Sequence, residues 1–304
     1  MTDRYSFNLV LLGFGAVAQA FIKLLMERSS SLEFDWRVVG VATQRHHCAL
    51  AKEGIDAATL THLGMTRPLL DTCHDYTCGR QPTDTFELLK QLSELYPYRS
   101  KANRVVIVEN TPFSLDKGQP SVDHVRTALA MNADVITANK GPAAFAYREL
   151  SELAASQDSM FKFEGSVLDG LPVFSLIEET LPSIRVERIR GIVNTTTNYL
   201  LTAMEQGDTL SQAVADMQKA GITESDPEKD IEGWDAAAKV SILANVFFDA
   251  NINPHEVNRK GLRTVDKTEI QRAHQNGQAV KLIAEVKRHP VSYTHLTLPT
   301  NREV

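Results

Sequence analysis

The sequence has 304 residues, of which 43% are hydrophobic and 23% charged, and its net charge at pH 7 is −6. This length suits two globular domains, and an acidic balance without a lysine or arginine cluster argues against nucleic-acid binding. Residues 5–22 carry no charge, but Gly13, Gly15 and polar residues interrupt them, which favours a buried strand followed by a helix over a membrane span. The three cysteines lack the spacing of a zinc site and are an odd number, so we expect free thiols in a reducing compartment. We therefore expect a cytoplasmic protein.

The first half of the chain alternates strands with helices. The segment "FNLVLLGFGAVAQAFIKLLMER" begins as an apolar run, turns through glycines and continues with helical periodicity. Further strands are predicted in "WRVVGVAT", "KANRVVIVENTP" and "ADVITANKGP", with a helix in "SVDHVRTALAMN". The polar segment from about residue 50 to 100 predicts a helical excursion at the edge of this domain. The pattern indicates an α/β fold with a parallel sheet over residues 1–150.

The second half also contains strands and helices, but they no longer alternate as regularly as in the first half. Strand, glycine turn and helix are predicted in "MFKFEGSVLDGLPVFSLIEETL", and strand, loop and helix in "VERIRGIVNTTTNYLLTAMEQG". Helices follow in "LSQAVADMQKAG" and "WDAAAKVSILANVFF", and a strand begins in "QAVKLIAEVKRHP". We therefore predict a second α/β domain over residues 151–290.

A glycine motif joins the first strand to the first helix. Gly13, Gly15 and Ala18 fit G-x-G-x-x-A in the strand–turn–helix context of a Rossmann-type dinucleotide-binding domain. In such a turn the first glycine permits the tight bend, and the second lets a pyrophosphate approach the helix N-terminus. The predicted cofactor contacts at this turn are Gly13, Phe14, Gly15, Ala16 and Val17.

The end of the second strand bears on the choice of cofactor. NAD-binding proteins place an acid there for the ribose 2′-hydroxyl, whereas this chain has Thr43 and Gln44, followed by Arg45. A guanidinium without a neighbouring carboxylate favours a 2′-phosphate, so we predict NADP, with NAD as the alternative. The competing interpretation is that Arg45 is a solvated loop arginine.

Four motifs resemble the homoserine dehydrogenase family, in the family's order and over most of the chain. They are "VITANKGP", "FEGSVLDGLP", "GIVNTTTNYLLTAM" and "AGITESDPEKDIEGWDAAAKVSIL". The resemblance implies NADP-dependent interconversion of L-homoserine and L-aspartate 4-semialdehyde, in threonine and methionine biosynthesis, by a homodimer. Without the other motifs, Asp235 and Lys239 would be an i,i+4 surface ion pair contributing about 0.3–0.5 kcal/mol.

The resemblance also implies roles for individual residues. Lys239 matches the family's catalytic lysine and Asp235 the acid beside it, which agrees with the proton that must move when a carbonyl is reduced by hydride transfer. Glu224 matches the glutamate that holds the ammonium group of the substrate. A zwitterionic substrate also needs donors for its carboxylate, and the candidates are Lys140, Asn194 and Thr196. The implied cofactor contacts further along the chain are Thr111 and Lys140. Main-chain carbonyls of Glu164, Val167, Asp169 and Leu171 match a structural sodium site.

Two departures from the family pattern are visible. The family usually has glycine where this chain has Thr195, and a threonine would be strained there if the position required a positive φ. The family's later glycine-rich segment, which completes the nucleotide domain, has no counterpart after residue 284. Residues 291–304 resemble a foreign junction, so we expect a non-native, poorly packed tail.

Three alternatives to the family's reaction stay open. One is another NAD(P)-dependent amino-acid dehydrogenase of similar build, acting for example on aspartate. Another is a nucleotide-binding regulator without turnover, which would have no use for a proton-transfer lysine. The third is that the chain with this tail binds nothing well.

Overall fold

The computed structural model describes residues 4–44, 47–56, 59–60, 82–97, 100, 103–221, 227–288 and 300–302. Within them the chain forms two compact units, the first ending at Gly170 and the second beginning at Leu171. The first unit extends beyond residue 150 because its last strand lies at Phe161–Lys162. None of the described helices is long and apolar enough to cross a membrane.

The first unit is built on one sheet with the strand order β3-β2-β1-β4-β5-β6. Neighbouring strands are parallel except for β3, which pairs antiparallel with β2 at the edge. The strands are β1 (Tyr5–Leu12), β2 (Phe34–Thr43), β3 (His47–Ile55), β4 (Arg104–Glu109), β5 (Asp134–Thr137) and β6 (Phe161–Lys162). The chain leaves β1 in one direction for β2 and returns to its other side at β4, which places a topological switch point between β1 and β4.

Helices cover the sheet on both faces, as the apolar runs of a parallel sheet require. They are α1 (Ala16–Arg28), α2 (Thr85–Leu95), α3 (Ser121–Ala130) and α4 (Lys140–Ser156). Val10 and Leu12 of β1 belong to the core shared with α2, α3 and α4, whereas Leu9 and Leu11 belong to the core shared with α1. This alternation along one strand explains why residues 9–12 of β1 are apolar without interruption.

The predicted helical excursion over residues 50–100 is only partly correct. Thr85–Leu95 is helical, but His47–Ile55 forms the edge strand β3. Residues 49–53 of this strand ("ALAKE") are good helix formers, and pairing with β2 overrides that local preference.

A buried histidine gives the first unit a pH-dependent stability. His124 of α3 lies 5.3 Å from the ring of Phe86 in α2, and its Nδ1 has no hydrogen-bond partner among the described residues. Burial lowers the pKa of His124 from 6.5, an effect that the neighbouring charge of Asp123 opposes.

Because the neutral imidazole is favoured in the fold, stability should be lost as the pH falls below about 6.5, the unfolded value. We expect the melting temperature to fall more for the wild type than for His124→Gln between about pH 7.5 and pH 5.5. One group contributes at most about 1.4 kcal/mol per pH unit to this difference. Equal acid sensitivity of the two proteins in thermal melts would assign the pH dependence to other groups.

The second unit combines helices with short antiparallel strand pairs. Its helices are α5 (Val173–Thr180), α6 (Thr195–Glu205), α7 (Leu210–Lys219), α8 (Glu228–Ile231), α9 (Trp234–Phe248) and α10 (Lys267–Gln275). Its strands are β7 (Arg188–Gly191), β8 (Val280–Leu282), β9 (Ala284–Lys287) and β10 (Thr300–Arg302). Pairs form between β7 and β9 and between β8 and β10. The strand β10 is the described part of the predicted non-native tail, and the tail's origin and packing stay predictions.

Candidate active site

The turn after β1 has the backbone that the glycine motif predicts. Gly13 has a φ of +87°, and its N–H donates to the Ala42 carbonyl at 2.8 Å. A Cβ placed on Gly13 would lie 2.6 Å from the Asn110 carbonyl oxygen, so the turn packs directly against the end of β4. Only glycine satisfies both conditions.

The N-terminus of α1 is open to a ligand. Gly15 is its N-cap, no side chain caps the helix, and Gly15, Ala16 and Val17 are exposed. Among the residues that the structure describes, a Cβ on Gly15 would meet no heavy atom within 4 Å outside its chain neighbours. The uncapped N–H groups of the first turn and the space over Gly15 fit the pyrophosphate of a dinucleotide.

The structure also describes Ala18 and Phe14 of this turn and the end of β2. Ala18 is fully buried, and the carbonyl of Phe14 accepts a hydrogen bond from Gln19 Nε2 at 3.2 Å. At the end of β2, Thr43 and Gln44 are described, whereas Arg45 lies outside the described residues. Its predicted contact with a 2′-phosphate therefore stays a prediction.

Thr111 and Lys140 follow β4 and β5, where the predicted cofactor contacts continue. Asn139 joins them, because its Nδ2 donates to the Thr111 carbonyl at 2.8 Å while its Oδ1 accepts from Gly141 N at 2.9 Å and caps α4. Lys140 is the first residue of α4, and its Nζ lies 5.8 Å from the centre of the Phe113 ring. The fold thus fixes both residues at the carboxyl ends of neighbouring strands.

A buried carboxylate that the sequence did not single out lies beneath them. Glu109 is the last residue of β4 and is 0% exposed. Its Oε1 accepts from Thr111 N at 2.9 Å, and its Oε2 accepts from Thr137 Oγ1 at 2.8 Å. Burial raises the pKa of Glu109, and the hydrogen bonds from Thr111 and Thr137 oppose that shift.

The predicted sodium site falls on an irregular segment after β6. Glu164 begins a 3₁₀ turn, Val167 is fully buried and Asp169 has a φ of 48°. Leu171 lies in the second unit, where its carbonyl accepts from Val173 N at 2.8 Å. No cluster of three or more metal-binding side chains occurs in the described part of the chain. Carbonyl oxygens are ligands that hard cations accept, and the sodium site at these four residues stays a prediction.

In the second unit, Asp235 and Lys239 lie one turn apart on the same face of α9. Almost every other face of this helix is buried, and its N-cap Gly233 has a φ of +77°. Lys239 Nζ lies 3.4 Å from Asp235 Oδ2, and the two side chains are only 12% and 16% exposed. They are therefore not a solvated surface pair.

A second segment encloses this pair. Lys239 Nζ donates to the Val193 carbonyl at 2.6 Å. Asn194 Nδ2 donates at 2.8 Å both to Asp235 Oδ2 and to Asp230 Oδ1. Its Oδ1 accepts from Thr197 N at 2.7 Å and caps α6. Asn194 thus positions two carboxylates, and its predicted contact with the substrate carboxylate stays a prediction.

Asp230 is a member of this site to which the sequence analysis gave no role. The signal was present, since Asp230 is the first acid of D-x-x-G-x-D in the motif that contains Asp235. Only the left-handed turn at Gly233 and the shared contact with Asn194 reveal that both acids meet.

The remaining predicted substrate contacts lie at the start of α6 or outside the described residues. Thr195 is the first residue of α6 and takes an ordinary helical backbone, so the strain that a positive φ would impose does not arise. Thr196 follows it and is partly exposed. Glu224 lies outside the described residues.

Comparison with known proteins supports both halves of this arrangement. A family model described as homoserine dehydrogenase, NAD binding domain matches residues 13–164, and one described as homoserine dehydrogenase matches residues 172–301. The homoserine dehydrogenase of Methanocaldococcus jannaschii is 31% identical over 284 residues, covering 92% of this chain and 80% of that protein. The NAD(+)-dependent homoserine dehydrogenase of Pseudomonas canavaninivorans is 32% identical, covering 93% and 78%.

Solved structures agree with the family match. The homoserine dehydrogenase of Thermoplasma acidophilum has a TM-score of 0.70 and 26% identity, covering 94% of this chain and 80% of that chain. A hyperthermophilic archaeal homoserine dehydrogenase in complex with NADPH has a TM-score of 0.71 and 26% identity, covering 93% and 79%. The chain therefore belongs to the homoserine dehydrogenase family and is an NAD(P)-dependent oxidoreductase.

Proposed function

We propose that this protein catalyses the reversible, NADP-dependent interconversion of L-homoserine and L-aspartate 4-semialdehyde. The observation that carries the proposal is the shielded Lys239, held by the Val193 carbonyl and Asp235. Within the described part of the chain these two partners leave one N–H of the ammonium group for a substrate oxygen.

Lys239 is the proton donor and acceptor in this proposal. Bound NADPH supplies the hydride that reduces the aldehyde carbon. Lys239 Nζ gives a proton to the carbonyl oxygen as charge develops there, and in the opposite direction it takes the hydroxyl proton. Asp235 Oδ2 lies 3.4 Å from Lys239 Nζ and orients the ammonium group of this lysine. Asn194 holds Asp235 by donating a hydrogen bond to the same oxygen.

The two ends of the substrate require groups of opposite charge. We infer that Glu224 accepts the substrate ammonium and that Lys140 and Thr196 donate to its carboxylate. Lys140 also contacts the cofactor in this proposal, as do Thr111 and the turn at Gly13–Val17. Arg45 binds the 2′-phosphate, and the carbonyls of Glu164, Val167, Asp169 and Leu171 hold sodium. The proposed setting is a cytoplasmic homodimer that serves threonine and methionine synthesis.

The proposal is tested by following NADPH absorbance with purified protein and L-aspartate 4-semialdehyde. We expect NADPH to be oxidised, NADP to be reduced with L-homoserine, and NADH to be a poorer donor. L-Aspartate with NADP is the matched control for a dehydrogenase that acts on the amino-acid carbon. Turnover of L-aspartate without turnover of L-homoserine would replace this function with that rival.

NADPH titration without substrate separates the remaining alternatives. Binding without turnover of any of these substrates would favour a nucleotide-binding regulator. Absence of binding would indicate that the chain as given does not form a working cofactor site.

A further inference from the structure

Glu109 is the one buried carboxylate at the carboxyl edge of the described sheet to which the proposed reaction gives no role. It pairs in register with Leu12 of β1, the residue before the Gly13 turn. The Asn110–Thr111 backbone that follows it packs against Gly13, since a Cβ there would lie 3.0 Å from Thr111 N. Glu109 therefore lies beneath the switch point, where a dinucleotide crosses from one half of the sheet to the other.

The carboxylate closes a ring of hydrogen bonds that joins β4 to β5. Thr111 donates both its N–H and its hydroxyl to Oε1, and Thr137 donates its hydroxyl to Oε2. Thr137 Oγ1 in turn accepts from Asn139 N at 2.9 Å. Asn139 completes the ring by donating to the Thr111 carbonyl and capping the helix that begins at Lys140.

This ring needs an acceptor at both ends of the side chain. Every donor that reaches Glu109 comes from a residue at the rim of the sheet, and the carboxyl group accepts at both oxygens. An amide at this position would offer one oxygen and one NH₂ group. The amide oxygen is needed by Thr111, which brings two donors, so the NH₂ group would face Thr137. The Thr137 hydroxyl would then lose the acceptor that Oε2 provides.

We propose that Glu109 is a positioning residue of the cofactor site, holding Thr111 directly and, through Thr137 and Asn139, the first turn of α4 with Lys140. In a doubly wound sheet the β1–β3 half receives the adenosine part of the cofactor, so the rim of β4 and β5 receives the nicotinamide half. The proposal rests on the proposed function only for its effect on turnover, because its effect on cofactor binding is independent of the reaction.

The test compares Glu109→Gln and Thr137→Val with a matched control on the same two strands. Asp134 is 2% exposed and also links β5 to β4, through Arg104 at 2.6 Å, but it lies at the amino ends of the strands. Asp134→Asn therefore removes a buried β4–β5 carboxylate away from the cofactor rim. Each variant is titrated with NADPH and with NADH in the absence of substrate, and its thermal melt is recorded.

We expect Glu109→Gln and Thr137→Val to raise the cofactor dissociation constant by about 10–100-fold, with Asp134→Asn changing it less than about twofold. For the two rim variants, KM for the cofactor should rise more than kcat falls. If Glu109→Gln does not fold, Thr137→Val carries the same test.

Equal effects of all three variants on cofactor affinity would overturn the proposal, because Glu109 would then only tie two strands together. Unchanged affinity in both rim variants, or a wild type that binds neither nucleotide, would overturn it too. A wild type that binds the cofactor but does not reduce L-aspartate 4-semialdehyde would refute the proposed reaction, while the affinity comparison still decides the role of Glu109.

Discussion

Replacement of Lys239 by alanine is expected to lower kcat for L-aspartate 4-semialdehyde by about 10²–10⁴-fold. The reason is the loss of the only proposed proton donor, whose Nζ is held between the Val193 carbonyl and Asp235. Because Lys239 is not among the proposed cofactor contacts, NADPH affinity should stay within about twofold of the wild type. Steady-state kinetics and NADPH titration measure the two quantities separately.

Lys239→Arg is the matched control for charge. It keeps a cation beside Asp235, but a guanidinium does not release its proton in proteins, so turnover should stay low although the fold is preserved. Recovery of substantial activity in Lys239→Arg would contradict proton transfer by this residue and would leave it an electrostatic role. Loss of activity with loss of NADPH binding in Lys239→Ala would point to a folding defect instead.

The elements that sequence predicts correctly are those whose local pattern and tertiary environment agree. β1 is apolar on both faces because both are covered, and the Gly13 turn is constrained by its own backbone. The edge strand β3 is not predicted correctly because residues 49–53 ("ALAKE") favour a helix. Only its pairing with β2 makes this segment a strand. Neither the sequence of β2 nor that of β3 alone indicates that the two segments pair.

The same distinction applies to the active site. Asp235 and Lys239 are four residues apart on one helix, so their meeting follows from helix geometry. Asp230 joins them through Asn194, which is 36 residues earlier in the chain, and Glu109 reaches Thr137 across 28 residues. Such contacts depend on how separate elements pack. The motif contains Asp230 without indicating its partner, and Glu109 belongs to none of the motifs that the sequence shows.

The two glycines of the nucleotide turn should respond in opposite ways to the same added methyl group. Gly13→Ala places a Cβ 2.6 Å from the Asn110 carbonyl oxygen and forces alanine to a φ of +87°. We expect it to lower the free energy of unfolding by at least about 2 kcal/mol, which corresponds to a melting temperature lower by about 4–8 °C. Both effects are present without cofactor.

Gly15→Ala is the matched control, because its Cβ would meet no atom of the described residues within 4 Å and its φ is −82°. Its melting temperature should stay within about 1 °C of the wild type. If the space over Gly15 is where the pyrophosphate approaches the helix, the same methyl group should weaken NADPH binding by about tenfold or more. Thermal melts of the free protein and NADPH titration together separate the two roles. Unchanged NADPH affinity in Gly15→Ala would mean that the open N-terminus of α1 is not the phosphate site, whatever the effect of Gly13→Ala on stability.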